Sequence, residues 1–262
     1  MEENVLKIKW KKNEYNIPLD KILYIVMKKY NSEIHLCGGE VFQVRCLNTV
    51  ILQALNDSFI EVRKGCMVPA MAIYRFRSKL ELINGESISY SVGRKKELIA
   101  LLYEKRRSII DSFSAEGVPS TPEEYRMHYI SYESLPFAFA DIEMVFNSEN
   151  QAVDWIFRYG NEALARLEKL PLEQLIDSKF SSLFPKMDKK RLLNYVCSAI
   201  YGETLESFDY NPEMDTTLKI ISFPTFEGHC GCILFDVSQI RLANGSRRSA
   251  LEYCGILTKN KE

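Results

Sequence analysis

The 262-residue sequence lacks any apolar run approaching the roughly 18 residues of a membrane-spanning helix, which excludes a helical membrane protein. Because Met1-Glu-Glu-Asn has neither a basic stretch nor an apolar core, we do not expect the protein to be exported. Its seven cysteines are an odd number, typical of reduced thiols in a cytoplasmic protein. With 46% hydrophobic and 26% charged residues, the composition is that of a globular protein rather than a disordered or coiled-coil one.

Catalytic motifs are missing as well. There is no Gly-rich phosphate-binding loop, HExxH motif or paired-carboxylate motif, so we do not expect an enzyme. His229-Cys230-Gly231-Cys232 has no second pair of ligands for zinc, which favours buried core cysteines on a strand. Cys66, close to Arg63 and Lys64, has an alternative interpretation as a redox-sensitive thiol with a lowered pKa.

Charge is unevenly distributed along the chain, although the net charge is only −1. Of the 34 Lys and Arg residues, 19 lie in 1–111, together with 13 of the 35 Asp and Glu residues. The first half is therefore basic and the remainder acidic. This asymmetry suggests a half that faces a polyanion, joined to a half with another task.

The first half is predicted to be mostly β. Gly38-Gly39 predicts a two-residue hairpin turn, and Asn84-Gly85 predicts a second hairpin. Helical spacing of apolar residues predicts a short helix over 47–55 and a closing helix from Arg94. The predicted strands include 22–27, 33–37, 40–44, 80–83 and 87–91.

The small, polar segment 111–121 predicts a domain boundary. Thr121, Pro122 and Glu124 are typical of a helix start, and the helix predicted over about 122–132 would connect the two halves. The second half then has the order β-β-α-α-α-β-β-β, with Asp188 capping the third helix. That order is typical of the α+β class, an antiparallel sheet with helices on one face.

With these elements placed, the first half resembles a LytTR-type DNA-binding domain. The residues that carry the resemblance are Ile17-Pro-Leu-Asp-Lys-Ile-Leu-Tyr-Ile25, Phe59-Ile-Glu-Val-Arg63, Leu82-Ile-Asn-Gly-Glu86 and Tyr90-Ser91. The resemblance implies small antiparallel sheets, and contact with successive major grooves of DNA through loops between strands. Glu61 stands where a basic residue is usual, Gly65 replaces a Ser and Pro69 replaces an Asn.

DNA binding needs cationic donors at loops and strand ends, where they can reach phosphates and base edges. Three basic clusters occupy such places. The predicted DNA-binding residues are Lys28, Lys29, Arg63, Lys64, Arg94, Lys95 and Lys96.

The second half resembles a PAS sensor domain. The matching residues are Trp155-Ile-Phe-Arg-Tyr-Gly-Asn161-Glu-Ala, Leu175-Ile-Asp-Ser-Lys-Phe180, Leu183-Phe-Pro185 and Phe235-Asp-Val-Ser238. The resemblance implies dimerisation and an unidentified small ligand held inside the sheet, with no cofactor certain. Residues that could line such a pocket are Trp155, Phe157, Tyr159, Asn161, Phe180, Ile221 and Phe223, although aromatic residues on strands are core residues by default.

We therefore expect a bacterial transcriptional regulator that is built from two domains and is not an enzyme. Its predicted parts are a LytTR-like domain over 1–110, a linker and connecting helix over 111–138, a PAS-like sensor over 139–240 and a tail over 241–262. The expected partners are double-stranded DNA and a second copy of the chain, with no membrane. The alternative is a signalling adaptor that uses the LytTR-like fold for protein contacts, favoured by Glu61, Gly65 and Pro69.

Overall fold

A computed structural model describes residues 5–10, 13–28, 31–45, 48–184, 189–211 and 216–237. The chain divides into two compact units. Unit 1 contains the residues up to Ser114, together with 146–152 and 200–202, and unit 2 contains the others. Lys29, Asp188 and the predicted tail over 241–262 lie outside the described residues. Within the described ranges, no helix has both the length and the apolar character needed to cross a bilayer.

The main sheet of unit 1 has five antiparallel strands in the order β5-β4-β3-β7-β6. They are β3 (Ile22–Lys28), β4 (Asn31–Leu36), β5 (Val41–Val44), β6 (Phe59–Arg63) and β7 (Cys66–Pro69). Strand β3 lies at the centre, which explains why its sequence is apolar at nearly every position rather than alternating. Its Ile22 and Ile25 are fully buried in a core that also contains Ile34 and Ile51.

Two smaller sheets and two helices complete unit 1. Strands β1 (Val5–Trp10) and β2 (Asn13–Pro18) form a hairpin, and β8 (Ile73–Phe76), β9 (Leu80–Leu82) and β10 (Ser87–Ile88) form a sheet in the order β10-β9-β8. Helix α1 spans Asn48–Ala54, and helix α2 spans Lys95–Asp111. The small antiparallel sheets agree with the fold class expected for the first half.

The two predicted hairpins are present, each with a three-residue loop, whereas a two-residue turn was predicted at Gly38-Gly39. Gly39 N–H donates to the Leu36 carbonyl at 3.0 Å, and Gly85 N–H donates to the Leu82 carbonyl at 3.0 Å. In each loop the last residue is a glycine with positive φ, +91° at Gly39 and +88° at Gly85. A turn closed by one left-handed residue is the common three-residue hairpin loop, and it needs only one of the two glycines of Gly38-Gly39.

Unit 2 has one antiparallel sheet in the order β12-β11-β15-β14-β13. Its strands are β11 (Ala138–Phe146), β12 (Ala152–Gly160), β13 (Leu205–Asn211), β14 (Thr216–Pro224) and β15 (His229–Asp236). The helices between β12 and β13 are α4 (Glu162–Glu168), α5 (Leu172–Leu175), α6 (Phe180–Leu183) and α7 (Lys189–Tyr201). The observed order is therefore the predicted one with one more short helix, and unit 2 belongs to the α+β class.

The helices of unit 2 cover both faces of its sheet, whereas the sequence predicted helices on one face. Ser198 of α7 hydrogen bonds to Ser222 of β14 at 2.8 Å on one face. On the other face lies α3 (Pro122–His128), which is followed by a 3-10 turn. Its Tyr125 is buried against the sheet, as is Tyr129 just after it. The helix expected to connect the halves is thus shorter than predicted and packs on unit 2.

Candidate nucleic-acid interface

The turn between β6 and β7 is the centre of the candidate interface in unit 1. Arg63 pairs with Cys66, so Lys64 and Gly65 connect the two strands. Gly65 has a φ of +71°, in the left-handed region that residues other than glycine rarely adopt. Lys64 is exposed at the tip, and its ammonium group makes no hydrogen bond or ion pair with any described residue.

The segment before α2 lies alongside β6 and brings a second basic group to this turn. Ser91 N–H donates to the Val62 carbonyl at 2.9 Å. Arg94 Nη1 donates to the Glu61 carbonyl at 3.2 Å, and Arg63 Nε donates to the Ser89 carbonyl at 3.2 Å. Two predicted clusters that are far apart in sequence therefore meet at one place.

The third predicted cluster reaches the same turn from the end of β3. Met27 N–H donates to the Gly65 carbonyl at 2.6 Å, and Lys28 is the next residue. We call Lys28, Arg63, Lys64 and Arg94 the basic cluster. Lys95 and Lys96 continue from Arg94 into the first turn of α2.

Two members of the basic cluster are already paired with carboxylates. Lys28 Nζ lies 2.9 Å from Glu33 Oε1, and Arg94 contacts both carboxylate oxygens of Glu97, at 2.6 and 3.0 Å. Hydrogen bonding to these cations lowers the pKa of each glutamate, so both remain ionised. Both pairs are solvent-exposed, and exposed pairs of this kind are weak enough to exchange for phosphate.

One exposed apolar side chain beside the cluster was not predicted. Val92 is 65% exposed in the short turn that carries Arg94. An apolar side chain next to cationic donors can contact the methyl group of thymine in a major groove. The signal in the sequence was an apolar residue next to Gly93, between Ser91 and Arg94.

In unit 2, three of the predicted pocket residues lie together on the face of the sheet that α7 covers. The Phe180 ring centroid is 4.2 Å from that of Trp155 and 6.3 Å from that of Phe157. The cavity that they line with Tyr195 and Cys232 measures about 10 Å³. A cavity of that size holds about one water molecule, so these side chains fill the interior as core residues.

The other predicted pocket residues do not join them. Ser222 faces α7, so its neighbours Ile221 and Phe223 point to the opposite face of the sheet. Phe223 there stacks near Phe139, at 6.3 Å, and Phe139 lies 5.8 Å from Tyr159. The predicted pocket is therefore divided between two faces.

The side-chain amide of Asn161 makes all of its hydrogen bonds within the protein. Its Oδ1 accepts hydrogen bonds from the N–H groups of Leu164 and Phe139, at 3.0 and 3.1 Å. Its Nδ2 donates to the carbonyls of Tyr132 and Phe137, at 3.1 and 3.0 Å. Asn161 is thus the N-cap of α4 and has no hydrogen-bonding capacity left for a ligand.

A larger groove lies at one end of the same sheet. Its volume is about 480 Å³, within the range of small-molecule sites. The aromatic rings of Phe137 and Phe235 form part of its wall, with centroids 5.3 Å apart. Arg166 of α4 supplies a cationic group at the same groove.

His229 and the nearby cysteines are placed as core residues. Cys230 and Cys232 are buried with their Sγ atoms 3.9 Å apart. His229 Nδ1 lies 3.0 Å from Oδ1 of the buried Asp141, whose Oδ2 accepts a hydrogen bond from Tyr129 at 2.7 Å. In the described part of the chain, no group of three or more His, Cys, Asp or Glu residues could hold a metal ion.

Cys66 does not have the properties of a reactive thiol. It is 1% exposed, and burial raises the pKa of its thiol, which outweighs the opposing effect of Arg63. The alternative of a redox-sensitive thiol is therefore wrong, because the Cys66 side chain is buried and its pKa is raised instead of lowered.

Comparison with known proteins shows a structural similarity for part of the chain. No family model matches the chain, and no curated protein matches it. Among solved structures, the chain is similar to the LytTr DNA-binding domain of a Bacillus cereus protein, with 19% identity and a TM-score of 0.33. The match covers 38% of this chain and 96% of that domain. A TM-score of this size does not establish a common fold.

Proposed function

We propose that the chain is a transcriptional regulator whose unit 1 binds double-stranded DNA through the basic cluster. The observation that carries the proposal is the convergence of Lys28, Arg63, Lys64 and Arg94 on one turn. These residues come from three separate segments of sequence. Basic side chains at exposed loops are the groups that neutralise phosphates and position a protein on a duplex.

Two side chains of the basic cluster have different roles in DNA binding: Arg63 contacts a base and Lys64 contacts a phosphate. Arg63 Nε donates a hydrogen bond to the Ser89 carbonyl, which fixes the orientation of the guanidinium. The two terminal nitrogens of Arg63 make no hydrogen bond to any described residue. A fixed guanidinium with two available donors suits guanine, whose O6 and N7 accept in the major groove. The Lys64 ammonium at the tip of the turn suits a phosphate.

For unit 2 we propose a PAS-like domain that dimerises and senses a signal. Its support is the element order of the sheet and helices, together with the matching sequence segments. The groove beside Phe137 and Phe235 has room for a small ligand, whereas the interior beside Trp155 does not. Dimerisation would place two basic clusters on one DNA molecule and raise the effective affinity.

The alternative of a protein-binding adaptor is favoured by the ion pairs of Lys28 and Arg94, which already have carboxylate partners. Of the three residues that favour it in the sequence, Glu61 and Gly65 have a local explanation, because Gly65 N–H donates to Glu61 Oε1 at 2.9 Å, and Pro69 remains in its support. The adaptor therefore retains less support than DNA binding.

The test is selection of the full-length protein on a pool of random-sequence duplexes at several salt concentrations. We expect a repeated motif to be enriched, with two chains bound per duplex. The Arg63→Ala/Lys64→Ala variant should bind more weakly, and the slope of log affinity against log salt should fall by about two.

The matched control is Lys79→Ala/Arg107→Ala, which removes two exposed positive charges of unit 1 outside the basic cluster. We expect it to keep the motif and most of the salt slope. Equal losses in both double variants would indicate attraction by net charge alone. No binding by the wild-type protein at physiological salt would favour the adaptor.

A further inference from the structure

An acidic side chain lies within the basic cluster, where its charge opposes contact with phosphate. Glu61 is exposed on β6, next to Arg63 and Lys64. Its Oε1 accepts a hydrogen bond from Gly65 N–H at 2.9 Å, across the tip of the turn. Its carbonyl accepts one from Arg94 Nη1 at 3.2 Å. Glu61 therefore contacts two of the three chain segments that supply cations.

The same turn is held from its other side by β3. The Gly65 carbonyl accepts a hydrogen bond from Met27 N–H at 2.6 Å. A Cβ atom at position 65 would lie 2.7 Å from the Met27 carbonyl oxygen, closer than such atoms approach. The turn is thus confined between the carboxylate of Glu61 and the backbone of Met27, and only glycine fits between them.

We propose that Glu61 is a positioning residue for DNA binding, which holds the Lys64–Gly65 turn in its binding conformation and so orients Arg63 and Lys64. The inference rests on the proposed function. A turn that is ordered before binding does not lose conformational freedom on contact with DNA, which favours affinity. The repulsion between one exposed carboxylate and phosphate is screened by salt and is the weaker effect.

The two effects of Glu61 predict opposite outcomes on substitution. If repulsion dominated, removal of the carboxylate would strengthen DNA binding. If positioning dominates, Glu61→Ala weakens binding because the Gly65 N–H loses its acceptor. Glu61→Gln separates the two effects, since the amide oxygen can still accept the hydrogen bond while the charge is gone.

The experiment measures two quantities in the full-length protein and its variants. One is affinity for the duplex selected by the wild-type protein, and the other is the hydrogen-exchange rate of the Gly65 amide without DNA. For Glu61→Ala we expect about tenfold weaker binding, the size of one lost hydrogen bond to a charged group. We also expect clearly faster Gly65 exchange, and for Glu61→Gln both quantities close to the wild-type values.

The control is Glu97→Ala, which removes a carboxylate that is bound to Arg94 but not to the turn. It should leave Gly65 exchange unchanged and bind DNA at least as tightly as the wild type. Tighter binding by Glu61→Ala, or an unchanged Gly65 rate in that variant, would overturn the proposal. If no protein binds any duplex, the proposed function fails, and the Gly65 rate still decides whether Glu61 holds the turn.

Discussion

Arg106 is the one basic residue of unit 1 that the structure describes as buried, with 5% of its surface exposed. It follows Leu98 and Leu102 at intervals of four residues, so it lies on the buried face of α2. Its guanidinium donates to the carbonyls of Ala70 and Ile73, which close a turn of the neighbouring chain segment. Burial lowers the pKa of this guanidinium, yet an arginine remains charged.

We expect Arg106→Met to lower the free energy of unfolding by about 2 kcal/mol, because methionine fills similar space but leaves two buried carbonyls without this donor. Urea denaturation followed by circular dichroism measures the change. The neighbouring Arg107 is exposed, and Arg107→Met should change the free energy by less than about 0.5 kcal/mol. Equal effects of the two variants would contradict a specific role for Arg106.

At single residues, the sequence predicts the type of surface a side chain suits but not its contacts with distant segments. Arg63, Lys64 and Arg94 are predicted to bind DNA because cations at strand ends suit a nucleic-acid surface, and the structure brings them to one turn. The hydrogen bonds of Arg63 to Ser89 and of Arg94 to Glu61 could not be predicted, because they join segments about 30 residues apart. Ile221 and Phe223 were placed in a pocket because they are apolar, but the face of a strand residue depends on a register that pairing alone decides.

At the scale of elements, two glycines in hairpin turns differ in what surrounds them. Gly65 and Gly85 both have positive φ. A Cβ atom at position 85 would meet nothing within 4 Å, whereas one at position 65 would meet the Met27 carbonyl oxygen. The turn at Gly85 therefore needs glycine for conformation alone, whereas the turn at Gly65 needs it for both conformation and space.

We expect Gly85→Ala to cost about 1 kcal/mol, the usual strain of a left-handed residue. Gly65→Ala should cost more than about 2 kcal/mol, since the overlap with Met27 adds to that strain. Thermal unfolding of the full-length variants gives both values. Gly93→Ala serves as the reference, because its Cβ meets nothing within 4 Å and its φ is not positive. A cost for Gly65→Ala no greater than that for Gly85→Ala would refute the role of the close approach.

Element types were easier to predict than the details of their ends. Alternating and continuous apolar runs identified the strands of unit 2 and β3, β4, β5, β9 and β10 of unit 1, since these patterns follow directly from burial, but β1, β2, β6 and β7 were not among the predicted strands. The start of α3 was also predicted, and Thr121 Oγ1 accepts the Glu124 N–H at 3.3 Å as a capping residue should. Its position over the sheet of unit 2 was not predictable, because it depends on the buried contact between Tyr129 and Asp141.

At the scale of the whole molecule, each unit has a core of its own. The chain has two tryptophans, and Trp155 is 1% exposed in unit 2. In a Trp10→Phe background, its fluorescence therefore reports on unit 2. Tyr129 donates to the buried Asp141, while Tyr132 on the next turn is 38% exposed.

In that background we expect Tyr129→Phe to lower the stability of unit 2 by about 1–3 kcal/mol, because Asp141 loses a donor in a buried site. The measurement is the urea midpoint of Trp155 fluorescence. Tyr132→Phe should leave the midpoint nearly unchanged, and Arg106→Met should shift it less than Tyr129→Phe does. A larger shift with Arg106→Met would mean that the two units unfold as one.

The paired state of Lys28 and Arg94 has a consequence for how the protein would respond to its ionic surroundings. A phosphate that takes either cation releases Glu33 or Glu97 beside the DNA, and the released carboxylate retains a cation from solution. Fewer ions are then set free than the number of contacts suggests. Such an interface gives up some affinity in dilute buffer and keeps more of it in concentrated salt, so its occupancy on DNA would vary less when the ionic strength around it changes.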